Sequence, residues 1–335
     1  VASFPVVFFL TLLAMVVGGN KFLKDWGFET VIFSLLIGLF ISNIFSIPKW
    51  LKEALSSELF VKIGLVLLGT TVLFDDLLKA GALGLIQSCV VVFTVWNFCF
   101  WLCRKMKIDK EMSLMLSSAV SICGVSAAVA TAGAIKGDKT KLSYVVSLVL
   151  VVAVPMILIM PGLAKLMGLP EDMAGAWIGG TIDTTGAVAA TGAIYGEVAL
   201  QTSTIVKFSQ NVLLGVAAFL ISIYWSYSKK EVTEEKPTLK VIWLRFPKFV
   251  LGFVAASLVF SFCVAPEVVS DAKPILKNIQ GMWFALAFMS IGLETDFKSL
   301  ITSENRRSTY AFLGAQAFNV VFTLLVAWIL FGLIA

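Results

Sequence analysis

The stretches SSAVSICGVSAAVATAGAIKG (117–137) and AWIGGTIDTTGAVAATGAIYG (176–196) decide how this chain folds. Both are rich in Gly, Ala, Ser and Thr, and both are interrupted near the middle, at Cys123-Gly124 and at Ile182-Asp183. They also match each other. At an offset of 59 positions, residues 127–137 and 186–196 share seven of eleven identities, including Gly133/Gly192, Ala134/Ala193, Ile135/Ile194 and Gly137/Gly196. Small residues produce some matches by chance, and small-xxx-small spacing also serves plain close packing of helices.

Outward from these stretches, the chain is a series of apolar blocks. It has 335 residues, 59% of them apolar and only 14% charged, with a mean hydropathy of +0.95. A soluble domain has about 45–50% apolar and about 25% charged residues. The excess falls in continuous runs at 3–19, 29–47, 58–74, 80–103, 112–136, 141–164, 173–195, 198–226, 246–265, 276–295 and 307–333. Each is near the length, about 17–25 residues, that crosses some 30 Å of hydrocarbon as a helix. Lipid offers the backbone no hydrogen-bond partners, so only helices and closed barrels span it. Barrel strands alternate in short segments, whereas these runs are unbroken, so an all-α polytopic membrane protein is expected. The run Val1–Gly19 lacks a basic start and an Ala-x-Ala end and reads as a helix, not a signal peptide.

The flanking helices extend the internal match. LVLLGTTVLFDDLLKAG (65–81) lies on LAFMSIGLETDFKSLIT (286–302) with Asp75 opposite Asp296, and the next helices set Asn97 against Asn319. VIFSLLIGLFISNIF (31–45) lies on FVLGFVAASLVFSFC (249–263). Secondary transporters are commonly built from such internal repeats. One membrane domain over 1–335 is expected, with a first repeat at 29–165 and a second, in permuted order, at 173–335. The polar stretch 228–245, around KKEVTEEKP, reads as a cytoplasmic linker.

Charge sets the orientation. Lys and Arg concentrate in short loops, which argues for the positive-inside rule and not for nucleic acid. The asymmetry is greater if the two Gly-rich segments enter and leave on one side. Arg104, Lys105, Lys107, Lys110, Lys139 and Lys141 then share the cytoplasmic face. This scheme has nine spans plus two re-entrant segments entering from opposite faces. It puts the amino terminus inside and the carboxyl terminus outside an inner membrane.

A helix broken at membrane depth exposes backbone groups, tolerated only in protein or beside a wet cavity. The start of a half-helix has free N–H donors and about half a positive charge, an anion site. Candidate solute ligands are Ser121, Cys123, Gly124, Val125 and Ser126 at the first break, and Thr181, Asp183, Thr184, Thr185 and Gly186 at the second. The hydroxyls could instead bond their own helices. Asp183 could be an N-cap, a substrate or proton group, or both. Lys207, with Gln210 and Asn211 after it, sits inside an apolar run, where a charge is costly and should find a partner. It could meet an anion, pair with Asp183, or snorkel. Lys62 reads as a snorkelling lysine, and Asn97 and Asn319 as buried amides that pin helix contacts. Glu294 and Asp296 at a helix end join Asp183 as coupling-ion candidates.

ICGVSAAVATAGAIKG, AWIGGTIDTTGAVAATGAIYG and IVKFSQNVLLG resemble the YeiH-type sulfate exporter family over nearly the whole chain. FMSIGLETDFKSL is also similar to a helix end of cation/proton antiporters and bile-acid symporters. The resemblance implies a dimerising scaffold, a mobile core with two crossed interrupted helices, and an anionic solute such as sulfate or an organosulfonate. The expected function is therefore a secondary transporter of a small oxyanion, elevator-like, coupled to H⁺ or Na⁺. The competing classes are a cation/proton antiporter using Asp183 and Lys207, and a non-transporting membrane scaffold. No cofactor or metal is expected: the chain has no His, and its five cysteines lie in or beside apolar runs. An enzyme is not expected either.

Overall fold

The structure, a computed structural model, describes residues 4–18, 30–45, 47–48, 51, 55, 57–72, 74–229, 243, 248–294 and 306–334. Asp296 and most of the 228–245 linker lie outside the described residues. The elements are α1 (Phe4–Gly18), α2 (Thr30–Ile44), α3 (Ser57–Gly69), α4 (Phe74–Lys105), α5 (Lys110–Ser118), α6 (Val125–Ile135), α7 (Lys139–Leu166), α8 (Glu171–Thr181), α9 (Thr185–Tyr195), α10 (Glu197–Lys229), α11 (Phe249–Leu258), α12 (Pro266–Glu294) and α13 (Arg306–Ala327). Wide π turns extend α5 to Cys123, α11 to Cys263 and α13 to Ile334. Among the described residues there is no strand.

Leu77–Lys105, Lys139–Leu166, Glu197–Trp225 and Arg306–Leu333 are long and apolar enough to cross a bilayer. Pro5–Val16, Phe33–Ile44 and Phe249–Cys263 are shorter apolar helices. Large side chains such as Phe9, Phe40, Phe93, Phe262 and Val321 point outward, as they do where the surrounding solvent is lipid. Two helices start earlier than their apolar runs. The polar first turns of α4 (Asp75, Asp76, Lys79) and α12 (Glu267, Asp271, Lys273) hide the helix from a hydropathy reading.

Two groups of helices share the core. α12 packs on α2 and α3, with α1 and α11 beside them. The contact of α2 with α12 is a glycine crossing. A Cβ on Gly38 would meet the Met289 carbonyl at 2.6 Å, and one on Gly292 would meet the Leu35 carbonyl at 2.5 Å. α2 packs on α12 and α11 packs on α3, a reciprocal arrangement of the helices that the sequence aligns in pairs. The second group is α4 to α10 with α13. α9 lies against both groups, touching α7 and α10 on one side and α2, α3 and α12 on the other. Phe208 of α10 also sets its ring edge against Phe249 and Phe253.

Both Gly-rich segments are hairpins that turn back at their breaks. The end of the first returns to its beginning: the Asp138 amide donates to Glu111, and Lys141 Nζ bridges Asp109 and Glu111 at 2.9 Å each. The second does the same. The Tyr195 hydroxyl donates to the Leu169 carbonyl, and Glu171 accepts from the Val198 amide at 2.9 Å. Between the two bases runs α7, 28 residues, or about 42 Å at 1.5 Å per residue. Asp138 caps it, accepting from the Thr140 and Lys141 amides. The hairpins therefore enter from opposite ends of α7. Arms α8 and α9 have 11 residues each, about 16 Å. That is half the thickness of a hydrocarbon layer, so the tips meet in the middle.

Candidate functional site

The tips touch. A Cβ on Gly124 would lie 3.3 Å from the Asp183 Cβ and 3.3 Å from the Thr184 Cγ2. The first chain reverses at Gly124, whose φ of 58° and ψ of −111° are open to glycine and costly for other residues. The second breaks in extended backbone at Ile182 and resumes behind Thr184, whose Oγ1 accepts from the Ala187 amide at 3.3 Å.

Each break leaves a carbonyl end and an amide end, and the structure treats the two differently. The carbonyl ends are bound from inside the protein. Lys207, 1% exposed, donates to the Ile122 carbonyl of the first hairpin (2.6 Å), the Ile182 carbonyl of the second (2.8 Å) and Gln210 Oε1 (2.9 Å). From the α13 side, Asn319 Nδ2 donates to the Val120 carbonyl (3.2 Å) and the Thr181 carbonyl (3.1 Å). Gln316 reaches the same Thr181 carbonyl at 3.0 Å, and Gln210 Nε2 reaches the Gly180 carbonyl at 3.0 Å. Lys207 and Asn319 are thus two brackets, each joining one carbonyl from each hairpin. A cation suits this place, because helix ends carry partial negative charge.

The amide ends face a cavity of about 690 Å³. Cys123, Val125 and Ser126 line it from the first tip, and Thr184, Thr185 and Gly186 from the second. Gly124 caps α6 without a side chain and the Ala127 amide is turned to Cys123, so the Val125 and Ser126 amides at the start of α6 are left for another acceptor. Asn211, 4% exposed, lines the same cavity and donates from Nδ2 to Thr185 Oγ1 at 3.2 Å, while its Oδ1 has no partner. The amide can also turn, taking the Thr185 proton on its oxygen and presenting its NH₂ to the cavity. The side walls are apolar: Val146, Leu150, Ala153, Val154 and Ile157 of α7, with Leu214, Phe249 and Ile291 opposite. At the mouth stand Glu58, Lys62, Lys248 and Glu294.

Several expected ligands take other roles. Ser121 is buried and spends its hydroxyl on the Ser117 carbonyl at 2.7 Å, the local bond that a helical serine readily makes. Lys207 and Gln210 are filled by backbone carbonyls and each other, and neither lines the cavity. Complete burial rules out snorkelling by Lys207. Asp183 is not the N-cap; Thr184 is. Nor does an ion pair join Asp183 to Lys207 among the described residues. Both Asp183 oxygens are buried without a hydrogen-bond partner, as is the Thr181 hydroxyl, and neither residue lines the cavity. Glu294 lines the mouth and accepts from Ser57 Oγ at 2.8 Å. Lys62 pairs with Glu58 at 2.8 Å at that mouth. Asn97 is exposed and bonds its own helix at Phe93, so only its counterpart Asn319 is a buried pin. The α7 wall, Ser57, Glu58, Lys248 and Phe249 are additions. An unbroken apolar run such as α7 carries no mark of which face meets a cavity, whereas Glu58 and Lys62 at i,i+4 had the spacing of a pair.

A family model described as conserved hypothetical protein 698 matches residues 3–311. The chain belongs to this family. A UPF0324 membrane protein of Rhodopirellula baltica is 40% identical over 99% of the chain and 63% of its own length. One from Nitratidesulfovibrio vulgaris is 38% identical over 98% of the chain and 59% of its own. The chain thus spans about three fifths of these two relatives. A Bacillus anthracis relative of the same name is 25% identical over 95% of the chain and 92% of itself. No solved structure matches the chain. The conserved hypothetical protein 698 family is, by these names and by the apolar helices above, a family of helical membrane proteins, and both hairpins fall within the matched residues.

Proposed function

We propose that this protein is a secondary transporter that moves a small oxyanion-bearing solute, of the sulfate or organosulfonate type, by alternating access. One observation carries the reading: two half-helices from opposite sides begin at one cavity, with their amide ends toward it and their carbonyl ends tied back to Lys207 and Asn319. The positive ends of α6 and α9 and the hydroxyls of Ser126 and Thr185 supply donors for an oxyanion. The cavity is one-sided. Its mouth is formed by the starts of α3 and α11 and the end of α12, and its α10 residues lie away from the base of the second hairpin. Access is therefore from the end where the first hairpin is rooted. Lys and Arg around that base make it the cytoplasmic end of an inner-membrane protein with nine spans, amino terminus inside. In this reading α4 to α10 with α13 move as an elevator against a scaffold of α1 to α3, α11 and α12, a homodimer through the scaffold.

Purified protein should be stabilised against heat by millimolar sulfate or short sulfonates, and Ser126→Ala with Thr185→Ala should abolish the shift. A correctly folded protein indifferent to every oxyanion tested would remove the proposal. The cation/proton antiporter remains the second reading, because the Asp183 carboxyl is buried at the crossing without a hydrogen-bond partner. Proteoliposomes that exchange Na⁺ for H⁺ with no anion present, and lose this with Asp183→Asn, would favour it. The coupling ion of the leading reading, H⁺ or Na⁺, is read in the same vesicles.

A further inference from the structure

Resting on the oxyanion reading above, the charge and wall of the cavity define its solute more narrowly. Two half-helix starts supply about half a positive charge each, so the floor matches one negative charge. No net cation adds to it: the Lys207 charge is matched by the two negative carbonyl ends it binds, Lys62 at the mouth pairs with Glu58, and Lys248 there is matched in number by Glu294. A dianion would lack half its compensation. The donors of Val125, Ser126, Thr185, Gly186 and Asn211 are also clustered at the hairpin tips, Asn211 through its bond to Thr185. They can dress the two or three oxygens of a headgroup but cannot replace the water all around a tetrahedral ion. Next to them runs the α7 wall. Val146 and Leu150, one helical turn apart and both half-buried, line the cavity with Ile157, and Leu214 and Ile291 face it from α10 and α12. Such a wall contributes nothing to a bare hydrated ion and favours a hydrocarbon body.

We propose that the solute is an organic monoanion, a sulfonate or carboxylate headgroup on a short apolar body, with the headgroup on the hairpin tips and the body along α7. Inorganic sulfate is at best a weak occupant.

The test is a chain-length series on the purified full chain in detergent. Competition binding would compare sulfate, methanesulfonate, butanesulfonate and butanoate, with butylammonium as the control for insertion of alkyl chains into detergent. Affinity should rise up to about four-fold per methylene, the factor implied by about 0.8 kcal/mol per buried CH₂. Methanesulfonate should bind at least as well as sulfate, and butylammonium not at all. Val146→Ser with Leu150→Ser should flatten the series while leaving methanesulfonate binding within about two-fold. Because methanesulfonate binding reports the fold of that variant, a lost series is separable from a lost protein. Sulfate binding tighter than every sulfonate would overturn the proposal and leave the oxyanion site standing. A length dependence untouched by the α7 variant, or shared by butylammonium, would also overturn it. Binding of none of the anions would sink both this proposal and the transporter reading beneath it.

Discussion

The two hairpins place the same parts in the same relation and break their helices by different means. In the first, the chain turns on backbone: a π turn from Ala119 to Cys123, then Gly124 at a positive φ, with no side chain capping α6. In the second, it turns on side chains: extended Ile182, a buried Asp183, and Thr184 capping α9. Their second arms match at seven of eleven positions over 127–137 and 186–196; the turns, 119–126 and 178–185, match at none. Close packing preserves the arms, since small residues let backbones approach. The turns need only deliver a carbonyl end to Lys207 and an amide end to the cavity, and two chemistries satisfy that need.

The largest effect should come from the residue that treats both hairpins alike. Lys207→Ala strands the Ile122 and Ile182 carbonyls and Gln210 Oε1 in a buried place. Each unsatisfied buried group costs about 1–3 kcal/mol, so a loss of roughly 3 kcal/mol or more is expected. Thermal unfolding in detergent should show it without any anion present. A variant as stable as the parent that has lost only anion affinity would make Lys207 a ligand, and the bracket would be wrong.

Substitutions at the tips should separate the two turns. Gly124→Ala forces a side chain into a positive-φ conformation and sets its Cβ 2.7 Å from Val149 Cγ1. About 1–3 kcal/mol for the backbone, with the clash added, is expected. Asp183→Gly has no such penalty, because Asp183 sits in the second turn and its carboxyl has no hydrogen bond to lose. Thr184→Ala should cost about 1 kcal/mol through the lost cap, and Thr184→Ser should restore most of it. Equal costs for Gly124→Ala and Thr184→Ala, measured as unfolding midpoints under one condition, would erase the distinction between the turns.

How much of this was legible follows the same division. Apolar runs located nearly every helix, and the match of 127–137 with 186–196 pointed to paired arms. Cys123-Gly124 and Ile182-Asp183 read as the breaks in sequence, because a glycine and an acid interrupt apolar runs there. The role of Lys207 was not legible. A buried lysine in sequence signals only that a partner exists, and here the partners are main-chain carbonyls, which no side-chain pattern encodes. The same holds for Asn319, whose bonds to Val120 and Thr181 join residues 199 and 138 positions apart. Ser121 and Ser126 looked equivalent as hydroxyls, yet one bonds its own turn and the other faces the cavity. Ser121 lies in the π turn before the reversal at Gly124 and Ser126 in the first turn of the helix after it, so the two do not share a face.

The smallest effect should appear at the hairpin bases, and it is again unequal. The first base is held by charge: Lys141 bridges Asp109 and Glu111 at a partly exposed surface. The second uses Glu171 on the backbone amides of Val198 and Ala199. Burial opposes the charge on Asp109, but hydrogen bonds from Lys141 and the Met112 amide outweigh it, and its carboxyl is held below the ordinary value. A lowered acid stabilises fully above its unfolded value, near pH 4, and loses that contribution as pH falls through its native value. The first base should therefore hold at neutral pH and loosen in acid. Exposed pairs contribute about 0.2–1 kcal/mol and are screened by salt. Lys141→Ala, or molar salt, should speed hydrogen exchange at Thr140 by ~2–5-fold, the factor that about 0.5–1 kcal/mol implies. Exchange at Val198 and Ala199 should not respond to Lys141→Ala, because Glu171 is bonded to amides and not to that lysine. Matching acceleration at both bases would mean that the hairpins open as one unit, and the difference between their roots would have no consequence for motion.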